Sequence, residues 1–130
     1  MIEEAYVSFE TAKLLKEKGF SELTIPFYED DGKFCSRIGN VCKPYDWSHE
    51  SIFVFYSAPT QQMAMRWLRE KYHQYIIVNP IFDFNDIVKW DYSIDVSDNS
   101  DRVSTVSVDI YDSYEDAVES AIKYCLENLI

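Results

Sequence analysis

Cys35, Cys42, His49 and His73 are the zinc-ligand types that stand outside the chain's final helical stretch. A zinc knuckle sets its paired cysteines two to four residues apart, so that both thiolates reach one tetrahedral ion. Here six residues separate Cys35 from Cys42, and the pattern reads as unliganded thiols near a hairpin. Asp95, Asp98, Asn99 and Asp101 offer oxygen ligands to calcium, but their stretch lacks the central glycine and the distal bidentate glutamate of a calcium loop. Asp and Asn are also turn formers, and a solvated turn accounts for them.

Acid–base and nucleophilic chemistry leave as little trace. Glu29-Asp30-Asp31 sets carboxylates side by side, yet at a hairpin tip they are expected to be exposed, with ordinary acidity. No serine stands in a Gly-x-Ser-x-Gly elbow, and neither His49 nor His73 has neighbours that would make it a base. The sequence assigns no catalytic, cofactor-binding or metal-binding residue, calls for no cofactor, and reads as non-enzymatic. One polar constellation remains. Gln62, Arg66, Arg69 and His73 recur at spacings of four, three and four, which puts them on one side of a helix. They form either a docking stripe for an acidic partner or a solvated face whose arginines pair with nearby carboxylates.

Three helical stretches position these side chains. Ser8 caps the first, which ends at Lys18-Gly19 and turns Thr11, Ala12, Leu14 and Leu15 inward. The second follows Ser57-Ala58-Pro59-Thr60, with either Pro59 or Thr60 at its start, and runs to about Tyr72. Its apolar residues Met63, Ala64, Met65, Trp67, Leu68 and Tyr72 span an arc of roughly 200°, wider than a helix resting on one surface needs. Met63, Trp67 and Tyr72 therefore join the polar stripe as a candidate interaction surface. The third helix opens on Ser113-Tyr114-Glu115-Asp116, a capping box with Asp in place of Glu. Ala117, Val118, Ala121, Ile122, Cys125, Leu126 and Leu129 then follow the helical period.

Strands fill the intervals. Leu23–Tyr28 and Lys33–Ile38 flank the hairpin signal Asp30-Asp31-Gly32, and Ser51–Tyr56 and Tyr75–Val78 are further strands. Val88–Val96 alternates strictly, and a turn over Ser97–Asp101 leads to Val106–Ile110. Pairing Ile94 with Val106, Tyr92 with Val108 and Trp90 with Ile110 gathers all six apolar residues on one face, with Val103 left to a loop or bulge. The expected fold is α+β: three amphipathic helices packed on an antiparallel sheet, in the order α-β-β-(β)-α-β-β-β-α. Residues 1–130 form a single domain, within which two helix-then-strands units closed by a last helix are one arrangement.

Composition bounds the function. The chain has 130 residues, 47% of them hydrophobic and 16% aromatic, enough for a substantial core. Three glycines leave no room for a glycine-rich phosphate cradle. A formal charge of −11 opposes binding to nucleic-acid phosphates and anionic lipid, so neither direct nucleic-acid binding nor a membrane partner is expected. The odd count of three cysteines excludes a complete set of internal disulfides, the opening Met1-Ile2-Glu3-Glu4 lacks signal-peptide character, and no run is long enough to span a bilayer. A cytoplasmic location is expected. The aromatic residues Tyr45, Trp47, Tyr56, Trp67, Tyr72, Tyr75, Phe82, Phe84, Trp90 and Tyr92 exceed what one small core usually holds.

Three segments carry a resemblance. They are Glu4–Phe20, the run Ala58-Pro59-Thr60-Gln61-Gln62-Met63-Ala64-Met65-Arg66-Trp67-Leu68-Arg69-Glu70, and the ending Tyr114–Val118 with Lys123–Ile130. Together they resemble short proteins of unknown function carried by prophages and other mobile elements of gut anaerobic bacteria. The resemblance covers all three helices and implies a small accessory protein of a mobile element. It brings no activity and no catalytic residue. The expected function is binding to another protein or to a second copy. An acidic mimic of DNA that inhibits a host nuclease or restriction enzyme is the alternative, weakened by Lys13, Lys16, Lys18, Arg66, Arg69 and Lys71. A small hydrolase or nucleotide-modifying enzyme ranks third.

Overall fold

The computed structural model describes residues 2–36, 54–82, 85, 88–98, 101–107 and 109–130. Cys42, Tyr45, Trp47, His49, Phe84, Asn99 and Val108, on which parts of the sequence reading rest, lie outside these residues. Helices and antiparallel strands mix along the chain, as an α+β reading requires. The strands fall into two three-stranded sheets where the sequence reading has one, and the chain divides into two units, residues 1–60 and 61–130.

The first unit holds α1 (Phe9–Glu17) and the strands β1 (Phe27–Glu29), β2 (Phe34–Cys35) and β3 (Phe55–Ser57), in the sheet order β2-β1-β3. Ser8 caps α1, its Oγ accepting from the Thr11 amide at 3.2 Å, because the first turn of a helix has amides without helical partners. Thr11, Ala12 and Leu15 are its buried face, joined in the core by Val7, Phe20 and Phe27. The predicted β1–β2 hairpin forms, with Phe27 opposite Cys35 and Tyr28 opposite Phe34. Its strands are shorter than predicted, and Leu23 and Ile25 are exposed ahead of β1. Gly32 supplies the left-handed turn at φ 91°.

The second unit holds α2 (Gln61–Tyr72), the meander β4 (Gln74–Phe82), β5 (Val88–Asp98) and β6 (Asp101–Val106), and α3 (Tyr114–Tyr124). A π-helical turn over Cys125–Leu129 follows α3. Helix α2 begins at Gln61, so Pro59 stays outside it. Ser113 caps α3 as predicted, its Oγ accepting from the Asp116 amide at 3.1 Å. Helix α2 contacts β4, and α3 contacts β4, β5 and α2. In this unit Ala64, Leu68, Tyr92, Ile94, Ala117, Val118, Ala121, Ile122, Cys125 and Leu126 are buried.

The β5–β6 register differs from the predicted one by a single residue. Ile94 stands opposite Thr105, Ser93 opposite Val106 and Val96 opposite Val103. Val103 lies inside β6, not in a loop, and the predicted strand Val106–Ile110 is displaced to Asp101–Val106. The pairing of Asp98 with Asp101 closes the hairpin, and that connection sets the register whatever the apolar match further along. Beyond Val106 one more ladder bond forms, the Ser107 amide donating to the Tyr92 carbonyl at 2.8 Å. Tyr111, not Ile110, pairs with Trp90, so six residue steps from Thr105 to Tyr111 oppose four from Ile94 to Trp90. Val106 and Ile110 are consequently exposed.

Candidate interaction surface

The predicted surface on α2 is present in part. Gln61, Ala64 and Leu68 form the buried stripe, and Gln61 Nε2 donates to the Glu115 carbonyl at 3.0 Å, tying α2 to the first turn of α3. Met63 is exposed, whereas Met65, Trp67 and Tyr72 are half-buried, so the wide arc is only partly covered. Trp67 and Tyr72 meet edge to face at 5.2 Å, and the Lys71 ammonium lies 5.3 Å from one ring centroid and 5.5 Å from the other. Gln62, Arg66, Arg69 and His73 are all exposed. Arg66 Nε binds Glu70 Oε1 at 2.8 Å, which ties one arginine of the stripe to its own helix. Gln62 Nε2 reaches the Tyr114 hydroxyl at 3.4 Å. His73 serves the fold directly: it takes φ 56° between α2 and β4, and its carbonyl accepts from the Ser97 amide at 3.1 Å.

Sequence reasoning missed the far face of the second sheet. Strand β4 continues through Pro80 to Phe82 instead of ending at Val78, and its residues alternate between two faces. Gln74, Ile76 and Val78 share the helix-covered face with Val96, Ile94 and Tyr92, their partners on β5. Tyr75, Ile77 and Ile81 point the other way and are 37%, 43% and 36% exposed. Across the sheet, Ser93 lies between Ile77 on β4 and Val106 on β6, and Val106 is 63% exposed. The result is a row of exposed residues along β4 in which Asn79 separates Ile77 from Ile81, edged by the polar β5 residues Asp91, Ser93 and Asp95. The signal for it was the run Tyr75-Ile76-Ile77-Val78, apolar on both faces of a strand.

The edge of β4 away from β5 pairs with no strand among the described residues. Which main-chain groups line that edge follows from the ladder. Ser97 donates to His73, so the odd-numbered residues of this strand direct their N–H and C=O toward β5. Gln74, Ile76 and Val78 direct theirs outward, and Pro80, also at an outward position, has no N–H to offer.

Titratable groups elsewhere serve packing. In the first unit Lys16 Nζ donates to the Phe55 carbonyl at 3.1 Å and lies 5.0 Å from the Tyr56 ring centroid. Burial holds the Lys16 ammonium below its ordinary pKa, opposed by nearby Asp30, while burial and Asp30 raise the Tyr56 phenol. Asp30 thus has a neighbour that the hairpin-tip reading did not foresee. In the second unit burial pushes the Cys125 thiol up to about 12, and burial followed by Tyr111 does the same to Tyr92. Cys125 is an unbridged, buried thiol, and no group of three or more metal-ligating side chains occurs among the described residues. No described helix is long and apolar enough to cross a membrane.

No protein-family model, curated protein or solved structure matches this chain.

Proposed function

We propose that this is a non-enzymatic accessory protein of a mobile element, acting in the cytoplasm by binding another protein or a second copy of itself. The observation that carries the binding role is the exposure of Tyr75, Ile77 and Ile81 on β4, with Val106 across Ser93 from Ile77, on the face of the second sheet opposite buried Ile94. Scattered exposed apolar residues are ordinary, but Tyr75 and Ile77 are neighbours on one face of one strand, and such clustering is used in interfaces. Exposed Met63 and the half-buried Trp67 and Tyr72 on α2 extend the supply of accessible apolar surface. The mobile-element setting rests on the resemblance of the three helical segments.

The test compares the wild-type chain with the double variant Ile77→Asp and Ile81→Asp. Both side chains face away from the core, so the thermal transition is expected to stay close to wild type. Affinity capture from the native host, together with light scattering of the purified chain, should show a partner or a self-assembly that the double variant loses. A wild-type chain that is monomeric and retains nothing the variant fails to retain would remove the binding reading.

A further inference from the structure

We infer that Asp31–Gly32 is a site of spontaneous aspartyl isomerisation which the β1–β2 hairpin holds in check, so that the modification follows opening of that hairpin. The pair is the chain's one Asp-Gly or Asn-Gly step. Glycine after aspartate favours the reaction, because no Cβ shields the attacking amide nitrogen. The Gly32 nitrogen attacks Cγ of Asp31, an N–C bond forms, and the carboxyl hydroxyl departs with the amide proton as water. Water then opens the cyclic imide at either carbonyl and returns aspartate or isoaspartate. A water is released and a water consumed, so no other reactant is needed.

Hydrogen bonds keep both reacting groups occupied in the folded hairpin. Gly32 N–H donates to the Glu29 carbonyl at 2.9 Å, which retains the proton that the nitrogen must lose to attack. The Asp31 carboxylate accepts from the Lys33 amide through Oδ1 at 2.9 Å, beyond that nitrogen. Glu29 N–H donates to the Lys33 carbonyl at 2.9 Å and closes the turn around them. Gly32 is held at φ 91°, and Phe9 packs so near that a Cβ there would stand 3.2 Å from its ring. Bringing the Gly32 nitrogen onto Asp31 Cγ therefore requires the turn to open. Opening is within reach. Strand β2 is two residues long and outermost in the order β2-β1-β3 among the described residues, and its Phe34 is exposed. Short pairings with little burial open at low cost in free energy. The product does not refit: isoaspartate routes the main chain through Cβ and Cγ, which lengthens the turn and moves the free carboxylate to Cα. The pairing of Phe27 with Cys35 and Tyr28 with Phe34 then loses the closure that sets it.

The experiment follows isoaspartate in the full-length chain, kept at neutral pH either folded or in guanidinium chloride. Enzymatic methyl transfer to the isoaspartyl carboxylate counts it, and peptide mapping by mass spectrometry locates it. In denaturant, position 31 should accumulate it ahead of every other aspartate. In the folded chain the rate at that position should fall by about tenfold or more, the factor that about 1.4 kcal/mol of opening free energy supplies. Asp31→Asn should show a similar ratio, since the same ring closure then expels ammonia and is read directly as a change of mass. Lys33→Pro removes the amide that the Asp31 carboxylate accepts from, and should raise the folded-chain rate, with circular dichroism reporting that the variant is folded. Should Lys33→Pro unfold, the ratio in the wild type and in Asp31→Asn decides. Equal rates in the folded and denatured chain overturn the gating, as does a folded Lys33→Pro variant that reacts at the wild-type rate. Isoaspartate that appears elsewhere in denaturant but not at position 31 overturns the site itself.

Discussion

Gln74 Nε2 donates to the main-chain oxygen of Leu129 at 3.2 Å, joining the first residue of β4 to the π-helical turn after α3. The last carbonyls of a helix have no helical partner, and Gln74, only 2% exposed, supplies one from inside the core. Its Oε1 is buried without a hydrogen bond, so the amide is half satisfied. Gln74→Met discards that orphaned oxygen together with the donated bond and should cost about 1 kcal/mol. Gln74→Glu sets a second oxygen against the Leu129 carbonyl and buries a charge, for a loss above about 3 kcal/mol at neutral pH. Urea unfolding midpoints should rank wild type, Met, Glu in falling order; a glutamate variant as stable as the methionine one would show that this bond does not form.

Ser8 and Ser113 should behave alike, since each accepts from the amide three residues on, at 3.2 and 3.1 Å. Ser8→Ala and Ser113→Ala are each expected to lower stability by about 1 kcal/mol. Replacement by Asp should recover most of it, because the carboxylate accepts the same bond and complements the helix dipole. Denaturation in which alanine and aspartate are equivalent would remove the caps from the account.

These caps were legible because a cap is local: a hydroxyl ahead of an amphipathic run states its own partner. The β5–β6 register was not. Matching Ile94 to Val106 satisfies every apolar residue on paper, but the ladder is fixed by the closure at Asp98 and Asp101 and leaves Val106 opposite Ser93. Ser107 stands where the sequence reading set a partner for Tyr92, its amide donating to the Tyr92 carbonyl at 2.8 Å, and Tyr111 stacks on Tyr92 at 6.0 Å. The patch on β4 escaped notice for a related reason. A run apolar on both faces does not say which face is covered, and Pro80 suggested an end to a strand that, as an edge, tolerates it. The α2 stripe was readable from spacing alone, though not the Arg66–Glu70 pairing within it.

The observed register makes its own forecast. Ile94 is fully buried and Val106 is 63% exposed, although both are β-branched residues of paired strands. Ile94→Ala should cost about 2–5 kcal/mol through lost burial and the cavity left behind. Val106→Thr should stay within about 0.5 kcal/mol of wild type. Comparable losses at the two positions would favour Ile94 and Val106 sharing the covered face.

Alkaline sensitivity follows from Cys125. Its thiol titrates at about 12 in the folded chain against an ordinary value of 9.0, because burial disfavours the thiolate. A group whose folded pKa is raised gives its full stabilisation below the unfolded value and loses it as pH climbs toward the folded one. The loss attributable to Cys125 should therefore run from about pH 9 to about pH 12. Cys125→Ala will be less stable at neutral pH through its packing defect, but its deficit relative to wild type should shrink across that window. A gap in urea midpoints that stays constant from pH 8 to the alkaline limit of folding would contradict the raised thiol.

Gly32 and His73 both occupy the left-handed backbone region, at φ 91° and 56°, and opposite responses are expected from them. A Cβ at Gly32 would come within 3.2 Å of the Phe9 ring, so Gly32→Ala adds a close contact to a strained backbone. A loss of about 1–2 kcal/mol is expected. His73 already bears that backbone cost in order to turn α2 into β4 and present its carbonyl to Ser97. His73→Gly relieves the strain while keeping the carbonyl, offset in part by the greater freedom of glycine in the unfolded chain, for a net gain of up to about 1 kcal/mol. Thermal unfolding of the two variants beside wild type measures both signs at once. A destabilised His73→Gly would mean that the imidazole makes contacts worth more than the strain, and would return His73 from the fold to the interaction surface.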